Sequence, residues 1–185
     1  MTVSNTVLVL TTTCIALMAG LFYSYSCSVV LGLKLLTDAE YVASMQSINR
    51  AIQNPLFFIC FFGTLLLLPL STYLNYFPCP NLRFRLLLTA TILYFIGVFG
   101  VTAVGNIPLN NGLDKFNLIN ASGEAISLQR EMFERKWNNL NTIRTICSII
   151  SLVLVIIAVI KADKNPSTAK SSATVLPSET NKNFR

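Results

Sequence analysis

"NNLNTIRTICSIISLVLVIIAVIK", residues 138–161, decides the fold, because its apolar run reads as a membrane-spanning helix whose start has to be located. Thr145 to Ile160 supplies 16 residues, whereas a span needs about 20. Extending the segment backwards to about residue 140 takes in Arg144 and Asn141. An arginine then lies in the first turns of the last apolar helix. Ionisable residues inside a span usually face the protein interior and mark function, so the rest of the chain has to supply both a bundle and companions for Arg144.

The composition agrees with a bilayer setting. The chain has 185 residues, of which 53% are hydrophobic and 12% charged, against about 25% charged in soluble domains. That length suits an all-α, polytopic four-helix bundle over residues 1–162 and no second domain. Residues 163–185, Ser/Thr/Pro-rich and polar, are expected to be a disordered tail. The formal charge is +6, but the basic residues are scattered and no aromatic-interleaved cluster occurs, so nucleic acid is not an expected partner. Histidine is absent. That excludes His-ligated haem, His-containing zinc and di-iron sites, and every His-based triad. Five cysteines without CxxC spacing, four of them in apolar runs, read as small buried hydrophobes, and no metal site is expected.

Four spans emerge, at about 7–30, 55–76, 86–104 and 140–160. The first lacks a basic leader and is too long for a signal-peptide core. Its Ala16, Gly20, Ser24 and Ser28 form an i+4 stripe that would let another helix approach closely. Between the first two spans, Thr37 and Glu40 make a capping box for an amphipathic helix over residues 37–53. Asn54 and Pro55 then read as N-cap and N1 of the second span, which Pro69 would kink. Gly97, Gly100 and Ala103 give the third span a small-residue face. "GNIPLNNGL" at its end, residues 105–113, reads as ordered turns. A second amphipathic helix, residues 127–137, approaches the last span. With four spans the termini share one side, expected to be cytoplasmic. The sequon at Asn120, in the long loop, fits a luminal location in a eukaryotic host.

Three polar clusters fall in the two loops that face away from the termini and at the start of the fourth span. Gln46, Asn49, Arg50 and Gln53 share a helical face opposite the apolar stripe of Tyr41, Met45, Ile48 and Ile52. Asn106, Asn110 and Asn111 lie at the mouth of the third span. Trp137, Asn141 and Arg144 lie at i, i+4 and i+7, one face of the fourth. Taken singly, each has a plain explanation: a snorkelling arginine, an inter-helix amide bond, an interfacial tryptophan, a solvated helix face. Their coincidence at one end of the bundle points instead to a site.

"MQSINRAIQNPLFF", "GNIPLNNGLD" and "FERKWNNLNTIRT", in this order among four hydrophobic spans, resemble the anthrone oxygenase-like family of small integral membrane proteins. The resemblance runs over roughly residues 19–160, and its pattern falls on Asn49, Arg50, Asn54, Pro55, Asn106, Pro108, Asn110, Trp137, Asn141 and Arg144. It implies a cofactor-independent monooxygenase acting on a hydrophobic aromatic or phenolic molecule. On that reading Trp137, Asn49, Arg50, Asn106 and Asn110 bind substrate. Arg144 and Asn141 hold the enolate oxygen, and Asp114 is the acid nearest the motif. The other reading is a non-catalytic membrane protein that binds a lipid or a partner subunit, another copy of itself included, through the same polar end. A transporter is a third, though no inverted repeat is visible.

Overall fold

The structure is a computed structural model and describes residues 2–76 and 81–161. The tail assigned to 163–185 lies outside the described residues, as do residues 77–80 of the turn after the second span. Five helices and no strand form among the described residues: α1 (Val3–Leu33), α2 (Asp38–Ala51), α3 (Pro55–Leu74), α4 (Leu82–Asp114) and α5 (Gly123–Ile160). All but α2 are long and apolar enough to cross a bilayer. The chain is a multi-pass integral membrane protein built as a four-helix bundle.

Local chemistry sets the helix starts. Thr37 accepts from the Glu40 amide, and the Glu40 carboxylate accepts from the Thr37 amide at 2.9 Å, so the capping box forms as the sequence reads. Hydrogen bonds from Thr37 hold the Glu40 carboxyl below its usual range. Asn54 caps α3 by accepting from the Phe57 amide at 3.1 Å, with Pro55 at the first helical position. Inside that helix Pro69 is accommodated without interruption. Ser122 caps α5 in the same way through Ala125.

Two segments differ from the sequence reading. "GNIPLNNGL" is not a set of turns: α4 continues through it to Asp114. Immediately before Pro108 the backbone is a π-turn, in which the Ile107 amide bonds the Thr102 carbonyl. This wider step interrupts the i→i−4 ladder where proline has no amide to offer, so Pro108 costs the helix little. Likewise, the expected approach helix at 127–137 and the span at 140–160 are one 38-residue helix. No proline or glycine lies between Glu124 and Ile160. At 1.5 Å per residue α5 is about 57 Å long, roughly twice the hydrocarbon thickness, so its charged first turns project beyond the membrane.

Two hydrophobic clusters hold the bundle. Ile15, Met18, Phe22, Phe61, Leu68, Leu87, Tyr94, Val98 and Val155 fill the space among the four spans. Hydrogen bonds between Thr11 and Ser71 (2.8 Å) and between Thr72 and Thr91 (2.9 Å) tie α3 to α1 and α4. The second cluster packs Tyr41, Val42 and Met45 of α2 on Leu33, Leu113, Phe133 and Trp137, laying α2 across one end of the bundle. Arg130 fixes it there: its guanidinium donates to Leu36 O and Asp38 and stacks over Tyr41. The stripe of Ala16, Gly20, Ser24 and Ser28 is exposed, so none of the described helices packs on it. Close approach occurs elsewhere. A Cβ on Gly97 would lie 2.8 Å from Cys147 Cβ, and one on Gly105 would lie 2.8 Å from Leu140 Cδ1. Those two glycines press α4 against α5.

Candidate functional site

The i, i+4, i+7 face of α5 does what its spacing suggests and turns inward: Trp137, Asn141 and Arg144 are all buried. Arg144 is only 6% exposed. It donates to Asn141 Oδ1 at 2.9 Å and to Thr102 Oγ1 at 3.4 Å. Its guanidinium carbon lies 4.7 Å from the Phe22 ring centroid and 5.3 Å from that of Trp137. Among the described residues no carboxylate pairs with it, and its Nε has no partner. Removing an arginine from water without a counter-charge costs several kcal/mol. Aromatic faces return about 2 kcal/mol when the cation is desolvated, so the site carries an uncompensated positive charge.

Around Arg144 the helices bring further polar groups. Asn141 Nδ2 donates to Ser26 Oγ of α1 at 2.9 Å, which orients its oxygen towards Arg144. Trp137 donates from its indole nitrogen to Asn110 Oδ1 at 2.8 Å and packs on Tyr25, ring centroids 4.7 Å apart. On α4, Thr102, Asn106 and Asn110 follow at i, i+4 and i+8. Asn106 is 1% exposed, yet neither its amide nitrogen nor its oxygen has a partner. From α2, Asn49 is buried with its Nδ2 unpaired. Buried side-chain amides are ordinarily satisfied, and each orphan costs about 1–3 kcal/mol. Four such atoms, on Asn49, Asn106 and Arg144, leave three donors and one acceptor unpaired at this end.

These groups line a cavity of about 430 Å³, within the size range of small-molecule sites. Its other walls are aromatic, with Phe57, Phe58, Phe61 and Phe62 of α3, Phe99 of α4, and Phe22 and Tyr25 of α1. No carboxylate is among its lining residues. The cavity is thus an apolar, flat-walled space with a cationic, amide-rich end.

Six of the eight residues given a binding or catalytic role share this cavity, Asn49, Asn106, Asn110, Trp137, Asn141 and Arg144, and Gln53 and Asn111 of the polar clusters line it too. Arg50 and Asp114 do not. They form a 2.7 Å ion pair on the surface, with side chains 62% and 48% exposed, that links α2 to the end of α4. Gln46 reinforces this link through Leu113 O and Phe116 O. The helical face drawn from Gln46 to Gln53 is accordingly split, with Asn49 turned inward beside Met45 and Arg50 outward. Sequence reading passed over Tyr25, Phe22, Thr102 and the α3 phenylalanines. Thr102 was within reach, since it precedes Asn106 and Asn110 at the same i+4 spacing.

Residues 57–154 match the family model described as anthrone oxygenase. The match covers just over half of the chain and takes in Asn106, Asn110, Trp137, Asn141 and Arg144, but begins after Asn49. Searches of curated proteins and of solved structures found no match.

Proposed function

The chain belongs to the anthrone oxygenase family, and on that premise we propose that it is a monooxygenase acting on a hydrophobic aromatic or phenolic molecule bound in this cavity. The observation that carries the reading is Arg144, a buried cation without a counter-ion among the described residues, beside orphaned amides in an aromatic-walled space. A ligand whose oxygen becomes negative is what such an end complements.

An anthrone-like substrate has an acidic C–H next to its aromatic rings. Loss of that proton gives an enolate, whose oxygen the Arg144 guanidinium and nearby amides stabilise. The enolate passes an electron to O2, the radical pair closes to a C–O bond, and the resulting hydroperoxide loses water. The balance is CH2 plus O2 giving C=O plus H2O. Trp137 and the phenylalanines hold the ring plane. Since no carboxylate lines the cavity and Asp114 is engaged with Arg50, the substrate ionises under the field of Arg144 and its proton leaves to water at the polar end.

Oxygen uptake and quinone formation from anthrone, in membranes carrying the protein, test this. The Trp137→Ala variant loses a wall and the Asn110 hydrogen bond, and is expected to fall about 100-fold in kcat/KM. If wild type and variant both take up oxygen at the rate of empty membranes, the protein is a non-catalytic binder of a hydrophobic ligand. We further place the termini in the cytoplasm. Asn120 is then across the membrane, and expression in a eukaryotic host is expected to glycosylate it, shown by a mobility shift that an endoglycosidase removes. An unmodified Asn120 in correctly inserted protein reverses that orientation.

A further inference from the structure

We propose that the ligand enters the cavity sideways from the bilayer, through an opening between α3 and α4 rimmed by Phe58, Phe62, Ala103 and Ile107. The inference rests on the reading of this cavity as a small-molecule site and adds the route by which it fills. All four residues line the cavity and are at the same time exposed on the outside of the bundle. All four are apolar, and Ala103 and Ile107 play no part in the chemistry above.

Packing explains why the helices part here. Towards the termini α3 and α4 are joined by the Thr72–Thr91 hydrogen bond and by Tyr94 OH donating to Phe61 O at 3.2 Å. Beyond Phe61 no side-chain hydrogen bond joins them among the described residues. Gly97 and Gly105 draw α4 onto α5 instead, and its two π-turns lie in this same stretch, Tyr94–Gly100 and Thr102–Asn106. A helix held so closely to α5 leaves a gap on its α3 side, which the stacked Phe58 and Phe62 rings only border.

Depth fixes what lies outside the gap. Phe58 and Phe62 follow Pro55 by three and seven residues, about 5 and 11 Å along the helix at 1.5 Å per residue. They therefore face acyl chains of one leaflet rather than water. At the polar end the cavity is lined by the buried Asn49 of α2, by Gln53 beyond that helix and by Asn111 of α4, the latter two exposed. A molecule entering there from solution would have to pass these amides, whereas the rim between α3 and α4 is apolar throughout. Entry from the lipid selects flat, lipid-dissolved compounds.

Trp137 makes this measurable, being the chain's one tryptophan and part of the cavity wall. In dioleoylphosphatidylcholine vesicles, 9,10-anthraquinone added to the bilayer is expected to quench Trp137 fluorescence saturably, while aqueous iodide quenches it little. Ala103→Phe narrows the rim and is expected to slow the onset of quenching about 10-fold, whereas Phe58→Ala widens it and quickens the onset by a similar factor. Opposite signs from the two variants cannot arise from misfolding. Unchanged rates in both variants, or iodide quenching as strong as that by anthraquinone, overturn the proposal. Should Ala103→Phe fail to insert, Phe58→Ala decides alone, and an unaltered rate rejects the opening. No turnover is involved, so oxygen uptake can fail while the entrance stands, and the reverse.

Discussion

Arg144→Met is expected to lower kcat about 10²–10³-fold and to raise the melting temperature of the same protein. The side chain sits in the membrane half of α5, 6% exposed, with an unpaired Nε and, among the described residues, no carboxylate partner. Replacing buried charge by an apolar side chain of similar volume is commonly neutral or stabilising by about 1–4 kcal/mol. Against this, Asn141 Oδ1 loses its donor, a cost of about 1–3 kcal/mol. The contacts with Phe22 and Trp137 survive as thioether–aromatic packing worth about 0.3–1.5 kcal/mol. The desolvation relief is the larger quantity, and a rise of a few degrees follows at about 2–4 °C per kcal/mol. On the proposed function activity moves the other way, because losing the group that meets developing negative charge costs about 10²–10³ in kcat. Thermal unfolding in detergent and anthrone-dependent oxygen uptake on one preparation read both quantities. A fall in melting temperature alongside lost activity would make Arg144 a structural tie between α5 and Thr102.

That opposition explains why the arginine is conspicuous in the sequence while its surroundings are not. Span number, cap residues and the inward face of α5 are local properties. They follow from the length of apolar runs, from Thr37 with Glu40, from Asn54 with Pro55, and from i, i+4, i+7 spacing. What could not be read is rotation and register between helices. Asn49 and Arg50 are neighbours, yet one is buried at the cavity and the other is half in water. Which of them turns inward is fixed by Arg130 of α5 and by Gln46 and the packing of Met45 on α2. Asn106 and Asn110 reach the cavity because π-turns rotate the end of α4, and no residue preference announces a π-turn. The i+4 stripe of α1 looked like a packing face but is exposed. The close approach is made by Gly97 and Gly105, whose partners, Cys147 and Leu140, lie dozens of residues away.

A set of glycine substitutions separates close approach from mere small size. Gly97→Leu is expected to destabilise the bundle by about 3 kcal/mol, the upper end for overpacking. Its Cβ would sit 2.8 Å from Cys147 Cβ, an atom held by the backbone of α5, so the helices themselves must separate. Gly97→Ala meets the same obstacle and remains destabilising despite the gain of about 1 kcal/mol in helix propensity. Gly105→Ala meets only the tip of Leu140, whose rotamer can yield, and is expected to be near neutral. At Gly20 nothing lies within 4 Å, so Gly20→Ala is expected to stabilise by about 0.5–1 kcal/mol. The decisive measurement is a double-mutant cycle. Adding Cys147→Gly to Gly97→Ala removes the obstructing atoms, and recovery of at least half the lost stability is expected, a coupling of the size seen between residues in contact. Activity follows the same order, because Thr102 and Asn106 ride on α4 while Arg144 rides on α5. Pushing the two helices apart widens the gap across which, on the proposed function, an enolate would be held. Equal melting temperatures for all three single alanine variants would show that α4 is not seated on α5 through Gly97, and the gap between α3 and α4 would then need another cause.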